Sequence, residues 1–248
     1  MLLDRYMMKK IIFALFACLI LSAGQLAQAQ LTEEVKKKTP ELPGQIVADF
    51  GFNSVVNRTT DVPYHWWRSK SLGLYFVKSY DFMKKFELRP GLGVSFEKFG
   101  HADNMNVFAY GEDIDGTDSL GFTTVLGSDL KKNQLAVHYI EMPLEVRFNF
   151  SGNEKKDGLF LAVGGSAAFR IESHTKLKYT DEFGNKVKDK KKNDFGLNRF
   201  RLGASGRLGY RSFSIFYKTY FTNMFSSSGP NGTADMLQST IGVSLSGL

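Results

Sequence analysis

From Phe86 to Phe96 the chain reads FELRPGLGVSF and alternates without a break. Phe86, Leu88, Pro90, Leu92, Val94 and Phe96 hold the even positions; Glu87, Arg89, Gly91, Gly93 and Ser95 hold the odd ones. A period of two marks a strand with one apolar and one polar face. A half-buried strand of a soluble protein reads the same way, so recurrence has to separate the two cases. The alternation recurs in seven further runs, here given by their apolar faces: Ile46, Ala48, Phe50, Phe52; Leu72, Leu74, Phe76, Tyr80; Ile140, Met142, Leu144, Val146, Phe148; Leu159, Leu161, Val163, Phe169; Phe200, Leu202, Ala204, Leu208, Tyr210; Phe213, Ile215, Tyr217, Phe221; and Leu237, Ile241, Val243, Leu245.

The connections alternate too. Those after the second, fourth and sixth runs are short (Asp81 to Lys85, Ser151 to Gly158, Arg211-Ser212), and the others are long and polar. Short turns at one end and long loops at the other are the asymmetry of bacterial membrane barrels. An even strand number with both ends on the short-turn side closes a sheet without free edges. The expectation is an all-β fold: an eight-stranded antiparallel transmembrane β-barrel over residues 45–248, with short periplasmic turns, long extracellular loops and no second domain.

The segment before the first run fits that placement. Lys9-Lys10 precede an apolar stretch from Ile11 to Leu21, and Ala27-Gln28-Ala29 supplies small residues for cleavage. This reads as a signal peptide over residues 1–29, too short in its apolar core for a spanning helix. Residues 30–44 read as a polar periplasmic lead. The only cysteine, Cys18, lies inside the apolar stretch. A lipoprotein box at Leu15 to Cys18 is disfavoured by bulky Phe16 and by the apolar run continuing past Cys18. The mature chain then has no thiol for disulfides or thiolate metal sites. The net charge of +7 suits anionic headgroups as well as ordinary solubility, and no helical basic stripe argues for nucleic acid.

The polar faces carry Asp49, Glu87, Arg89, Glu97, Glu141, Glu145, Arg147, Arg170, Arg201, Arg207 and Lys218, with both signs represented. An eight-stranded barrel has room inside for side chains alone. The expectation is therefore a lumen filled by ion pairs, because an unmatched buried charge is costly. Arg89 and Arg147 are expected to form one network with Glu87 and Glu145. A proton or ion relay is the alternative use of these groups.

Two long loops are charged. The one after the third run is acidic, and its tip at Glu112 to Asp118 resembles a calcium loop in composition, although the spacing is not that of an EF-hand. The next carries Lys176, Lys178, Lys186, Lys188 and Lys190 to Lys192 around Phe183-Gly184-Asn185. It is expected to form a solvated hairpin, to pair with the acidic tip, or to meet lipopolysaccharide phosphates. His65, His101, His138 and His174 find no nucleophile and carboxylate at a spacing that makes a catalytic set. No catalytic, cofactor-binding or metal residues are assigned. Tyr64, Trp66 and Trp67 read as part of an interfacial aromatic girdle.

Several stretches together resemble a known family: Ser71 to Phe76, RPGLGVSFEKF at Arg89 to Phe99, LKKNQLAVHYIEMPLEVRFNF at Leu130 to Phe150, Ser173 to Lys176, Asn193-Asp194-Phe195 with Arg201 and GRLGY, and Gly229-Pro230. In this order the chain is similar to the Bacteroidetes-type outer-membrane β-barrel proteins, loosely called PorT-like or porin-family. The resemblance implies an eight-stranded barrel and no enzyme activity, and it transfers no site residues. Many such barrels end on an aromatic residue, whereas this chain ends Ser246-Gly247-Leu248. The functional expectation is a non-enzymatic barrel whose loops serve binding or envelope integrity. Its expected partners are outer-membrane lipid and lipopolysaccharide, the barrel-assembly machinery and an envelope or secretion protein. A transport or secretion component ranks second, and a lipid-modifying enzyme third.

Overall fold

The computed structural model describes residues 44–57, 64–101, 105–112, 118–124, 128–151, 158–181, 183–226 and 235–247, within a unit running Pro43–Leu248. The expected signal peptide and nearly all of the lead lie outside them. Twelve strands are present among the described residues: β1 (Gln45–Val56), β2 (His65–Val77), β3 (Tyr80–Met83), β4 (Phe86–Gly100), β5 (Met105–Glu112), β6 (Asp118–Thr124), β7 (Ser128–Asn149), β8 (Leu159–Thr180), β9 (Lys186–Lys192), β10 (Phe200–Tyr210), β11 (Phe213–Tyr220) and β12 (Leu237–Ser246).

Eight of them close a ring. The order is β1-β2-β4-β7-β8-β10-β11-β12, with β12 pairing back onto β1 and every pairing antiparallel. These eight are the eight alternating runs. The register fixes the size of the ring. A row of paired residues leaves β4 at Leu88 and passes through Val146, Val163, Gly206, Tyr217, Ile241, Phe52 and Lys70. It returns to β4 at Lys98, ten residues further along. A shear of ten over eight strands tilts the strands by roughly 40° and leaves a bore that side chains fill.

The faces are inverted relative to a soluble protein. Leu92 and Ile241 are 56% and 63% exposed, with Phe50, Leu74, Met142, Leu161, Val163, Leu202, Ile215 and Tyr217 exposed around them. Of the eleven charged residues expected on the polar faces, all but Arg170 are buried on the inward side. This is the pattern of a sheet solvated by lipid outside and packed on polar groups inside.

Three elements depart from the expectation. Tyr80 does not continue the second run. The chain bends at Lys78, whose N–H donates to Pro90 O at 3.0 Å, and Tyr80 opens β3, which folds onto β4 through a turn at Lys84-Lys85. Phe221 lies just past the end of β11. The lysine run from Lys186 to Lys192 is a strand, β9, paired with the upper half of β8 across a turn at Asp181 to Asn185. β7 and β8, at 22 residues each, therefore rise far beyond the apolar band. The acidic loop contains the β5–β6 hairpin, but its Asp113 to Thr117 tip lies outside the described residues.

Candidate functional site

The inward face is where chemistry is concentrated, and it is layered along the barrel axis. At the short-turn end, Arg147 Nε donates to Asn149 Oδ1 at 2.8 Å, and Asn149 Nδ2 donates to Glu87 Oε1 at 2.5 Å. The Arg147 guanidinium lies 3.6 Å from the Phe160 ring centroid. One layer in, Arg207 donates to both oxygens of Asp49, at 2.8 and 2.9 Å, and through Nε to Glu145 at 3.0 Å. The other Glu145 oxygen is 3.9 Å from Arg89. The expected four-residue network is thus divided. Arg89 meets Glu145, while Arg147 reaches Glu87 only through Asn149, and Arg207 with Asp49 takes the centre.

The third layer is Lys218, donating to Glu141 at 2.9 and 3.1 Å and to Tyr75 Oη at 3.2 Å. Tyr75 in turn donates to Glu141 at 2.8 Å. The phenol lies where it does because Gly73 and Gly93 leave room for it. A Cβ at Gly73 would come within 2.5 Å of the Tyr75 ring, and one at Gly93 within 2.1 Å of Leu74 O. The fourth layer is the tightest. Arg201 is fully buried and donates through one nitrogen to both Glu97 oxygens, at 2.9 and 3.0 Å. Its other terminal nitrogen donates to Gln238 Oε1. Its guanidinium is sandwiched between Tyr139 at 3.7 Å and Tyr220 at 4.0 Å.

Buried charge is tolerable only when matched and hydrogen-bonded. Here Asp49, Glu87, Glu97, Glu141 and Glu145 stand against Arg89, Arg147, Arg201, Arg207 and Lys218 among the buried described residues. The inner charge balances one for one. Arg170 is the exception to the predicted inward set: it is only half-buried, and it donates to Ser173 Oγ at 2.8 Å and Asp194 O at 3.1 Å near the rim.

Above the fourth layer the lumen turns apolar. Val55, Phe99, Leu135, Val137, Phe195, Leu197, Met224, Phe225 and Met236 form one buried cluster. Two irregular segments supply its centre. Leu197 bridges Phe225, Asn198 Nδ2 donates to Asn223 O at 2.7 Å and Phe225 O at 3.0 Å, and Met224 N–H donates to Met236 O at 2.7 Å. Phe195 holds a left-handed backbone, φ 51°, which turns its ring down into the bore. For a bulky residue that conformation is uncommon and is sustained by its surroundings. The sequence reading missed this plug. The signal was present, since Phe195 and Leu197 are apolar residues inside a polar connection, flanking Gly196. At the opposite mouth, a cavity of about 550 Å³ opens between Gln45, Lys78, Glu87, Arg147 and Arg211.

Two of the four histidines come together. His138 and His174 face outward with rings 5.5 Å apart, and His174 Nδ1 is 3.2 Å from Glu172. Ser173, its neighbour in sequence, points inward and donates to Asn193 O. His101 is buried at the end of β4, its backbone N–H bonded to Asn133 O. Trp66 and Trp67 are exposed and pack on Phe52, with ring centroids 6.1 and 5.4 Å away, as a girdle requires, but Tyr64, expected to join them, instead packs against the buried apolar cluster and donates its hydroxyl to Asn53 O.

A family match agrees with this inverted architecture. Residues 29–227 match the family described as outer membrane protein beta-barrel domain. No curated protein matches the sequence. Among solved structures, the chain is similar to the attachment invasion locus protein Ail of Yersinia pestis, at 13% identity over 83% of this chain and 99% of that one, with a TM-score of 0.32. It is also similar to Neisserial surface protein A, at 7% identity over 82% of this chain and 96% of that one, with a TM-score of 0.37.

Proposed function

Because the chain belongs to the outer-membrane β-barrel family, we propose that it works as a closed, non-enzymatic barrel: an anchor that carries a tall β-extension for binding or envelope integrity rather than a conduit. In this reading the short turns and both ends of the barrel face the periplasm, and β7, β8 and β9 rise outside the cell. The order of the sequence runs supports the Bacteroidetes-type, PorT-like subdivision within it.

One observation carries the reading. The bore is blocked twice in series, by a charge-balanced polar stack and then by an apolar plug. A permeating ion would have to break buried bidentate pairs and then cross an apolar constriction. Purified full chain in planar bilayers is expected to show no steady ohmic conductance. A stable conductance would overturn the closed-barrel reading in favour of a narrow solute pore. Affinity capture from detergent-solubilised membranes separates a lone envelope protein from a subunit of an export machine. Turnover of phospholipid or lipid A by the purified chain would overturn the non-enzymatic part.

A further inference from the structure

On the outer face, at the upper edge of the apolar band, two paired rows cross the same three strands. Phe50, Leu72 and Phe96 stand side by side on β1, β2 and β4, and the next row up is Phe52, Lys70 and Lys98. Between them lies a groove of about 360 Å³, walled by the aromatic and aliphatic side chains and closed at its top by the two lysines. Like charges directly opposite on neighbouring strands repel. Among the described residues no carboxylate pairs with either lysine, and Lys70 Nζ has only the face of Phe52, 5.9 Å away. An apolar slot facing lipid, with two uncompensated cations at its headgroup end, is complementary in shape and charge to an acyl chain ending in phosphate.

The cations continue upward. Lys132 and Lys178 are directly opposite on β7 and β8, with Lys176 two residues along on the same outward face. Partial burial, then Lys176, Lys98 and Lys178, push the Lys132 ammonium below its ordinary value, so these four charges form one field. With strands about 4.8 Å apart and tilted by roughly 40°, each step from β2 towards β8 rises about 3 Å. The second set therefore stands well above the first. A phospholipid with one phosphate occupies only the lower pair. A sugar headgroup bearing more than one phosphate reaches both.

We infer that this face is a binding site for a phosphorylated glycolipid of the outer leaflet, of the lipid A class. One acyl chain lies in the Phe50–Phe96 groove, one phosphate sits between Lys70 and Lys98, and a second is directed towards Lys132 and Lys176. The inference rests on the outward orientation of the long-loop end in the reading above. It names a partner for the barrel's exterior, which the closed lumen does not specify.

The chain carries its own reporter. It has two tryptophans, Trp66 and Trp67, and both pack on Phe52 at the groove wall. Full-length protein in nanodiscs of zwitterionic lipid is titrated with bisphosphorylated lipid A, dephosphorylated lipid A, phosphatidylglycerol and inorganic phosphate, reading tryptophan emission and bound lipid by native mass spectrometry. Bisphosphorylated lipid A is expected to saturate at a concentration at least tenfold below its dephosphorylated form and below phosphatidylglycerol. K70Q with K98Q should erase that preference, while K70R with K98R should keep it. K78Q, at the other end of the barrel, should change nothing. Heat-modifiable gel migration confirms that each variant has folded, and the wild-type comparison of lipids stands without any variant. Equal saturation by the phosphorylated and dephosphorylated lipids overturns the site. Equal saturation by phosphatidylglycerol overturns the glycolipid assignment, and a lysine-dependent response to inorganic phosphate alone overturns a lipid site in favour of a free-anion one. A conducting barrel would sink the closed-lumen reading and leave this titration untouched.

Discussion

Arg201 shows how a single residue is made to belong inside a bore. Its guanidinium is fully desolvated, yet both terminal nitrogens and both faces are engaged: one nitrogen donates to both Glu97 oxygens, the other to Gln238, and a tyrosine ring lies on each face, while Nε finds no partner among the described residues. Removing Glu97 alone leaves a buried cation, so E97Q is expected to destabilise by about 3–5 kcal/mol, and R201M by a similar amount. The double substitution should cost less than the two singles summed, because it leaves no orphan charge. Urea unfolding in detergent, read as a double-mutant cycle, checks this; strict additivity would mean that the pair does not act as one unit. Asp181 at the β8–β9 turn offers a pH-dependent counterpart in water. Its carboxylate accepts the backbone N–H of Asn185 at 2.7 Å, then the Asn185 side-chain amide and the N–H of Phe183, and these bonds hold its pKa below the ordinary aspartate value. A depressed carboxylate stabilises the fold above its unfolded pKa and loses that contribution as pH falls through its folded one. The turn is therefore expected to hold at neutral pH and fray in acid. Amide exchange at Asn185 should accelerate below the ordinary aspartate range, and D181N should show fast exchange with no such pH step.

At the level of the strand, one position separates lipid from lumen. Leu92 faces outward and Gly91 inward on β4, so the same added bulk meets different surroundings. L92R places a cation against hydrocarbon at a cost of about 2–4 kcal/mol in a barrel. G93A, two residues from Gly91 on the inward face, drives a Cβ to within 2.1 Å of the Leu74 carbonyl and should cost about 1–3 kcal/mol through strand displacement. The distinction lies in the assay. L92R should lose membrane assembly while G93A assembles and unfolds at lower urea, and equal assembly of L92R and wild type would invert the faces assigned here. The eight lipid-facing runs were legible in the sequence because lipid enforces apolar character at every second position, as from Phe86 to Phe96. Elements freed from that constraint were not legible. β9 is nearly all lysine, with only Val187 and Asp189 interrupting, so no face of it reads as buried. Tyr80 kept the parity of β2 while the backbone beneath it had already turned at Lys78. The inward charges, Arg170 apart, were assigned to the lumen correctly and Arg89 was expected beside Glu145, but the central partners were not legible, since Arg207 finds Asp49 across 158 residues and only ring closure brings them together.

At the scale of the whole barrel, the two obstructions are independent in composition and continuous in position. F195S with L197S should loosen the apolar plug yet leave the Arg201 and Lys218 layers intact, so conductance should remain absent. Adding R201A with E97A to that background should give the first measurable current, because both barriers have then been reduced. Current from the plug variant alone would show that the polar stack is permeable. The plug itself escaped the sequence reading for a physical reason. Phe195 enters the bore through a left-handed residue in an irregular connection, and irregular backbone has no period to reveal which way a side chain points.

The outermost strand has one more property. β9 pairs with β8 on one side, and among the described residues nothing pairs with its other side. Its free edge presents unmatched amides and carbonyls, a template on which a neighbouring chain can add a strand. The strand's sequence, KVKDKKK, makes that edge self-repelling. In a crowded membrane two copies approaching edge to edge would bring like charge onto like charge at nearly every rung. The height of the extension is thereby made compatible with dense packing, and the lysines of β9 act as guards against zippering of one barrel onto the next.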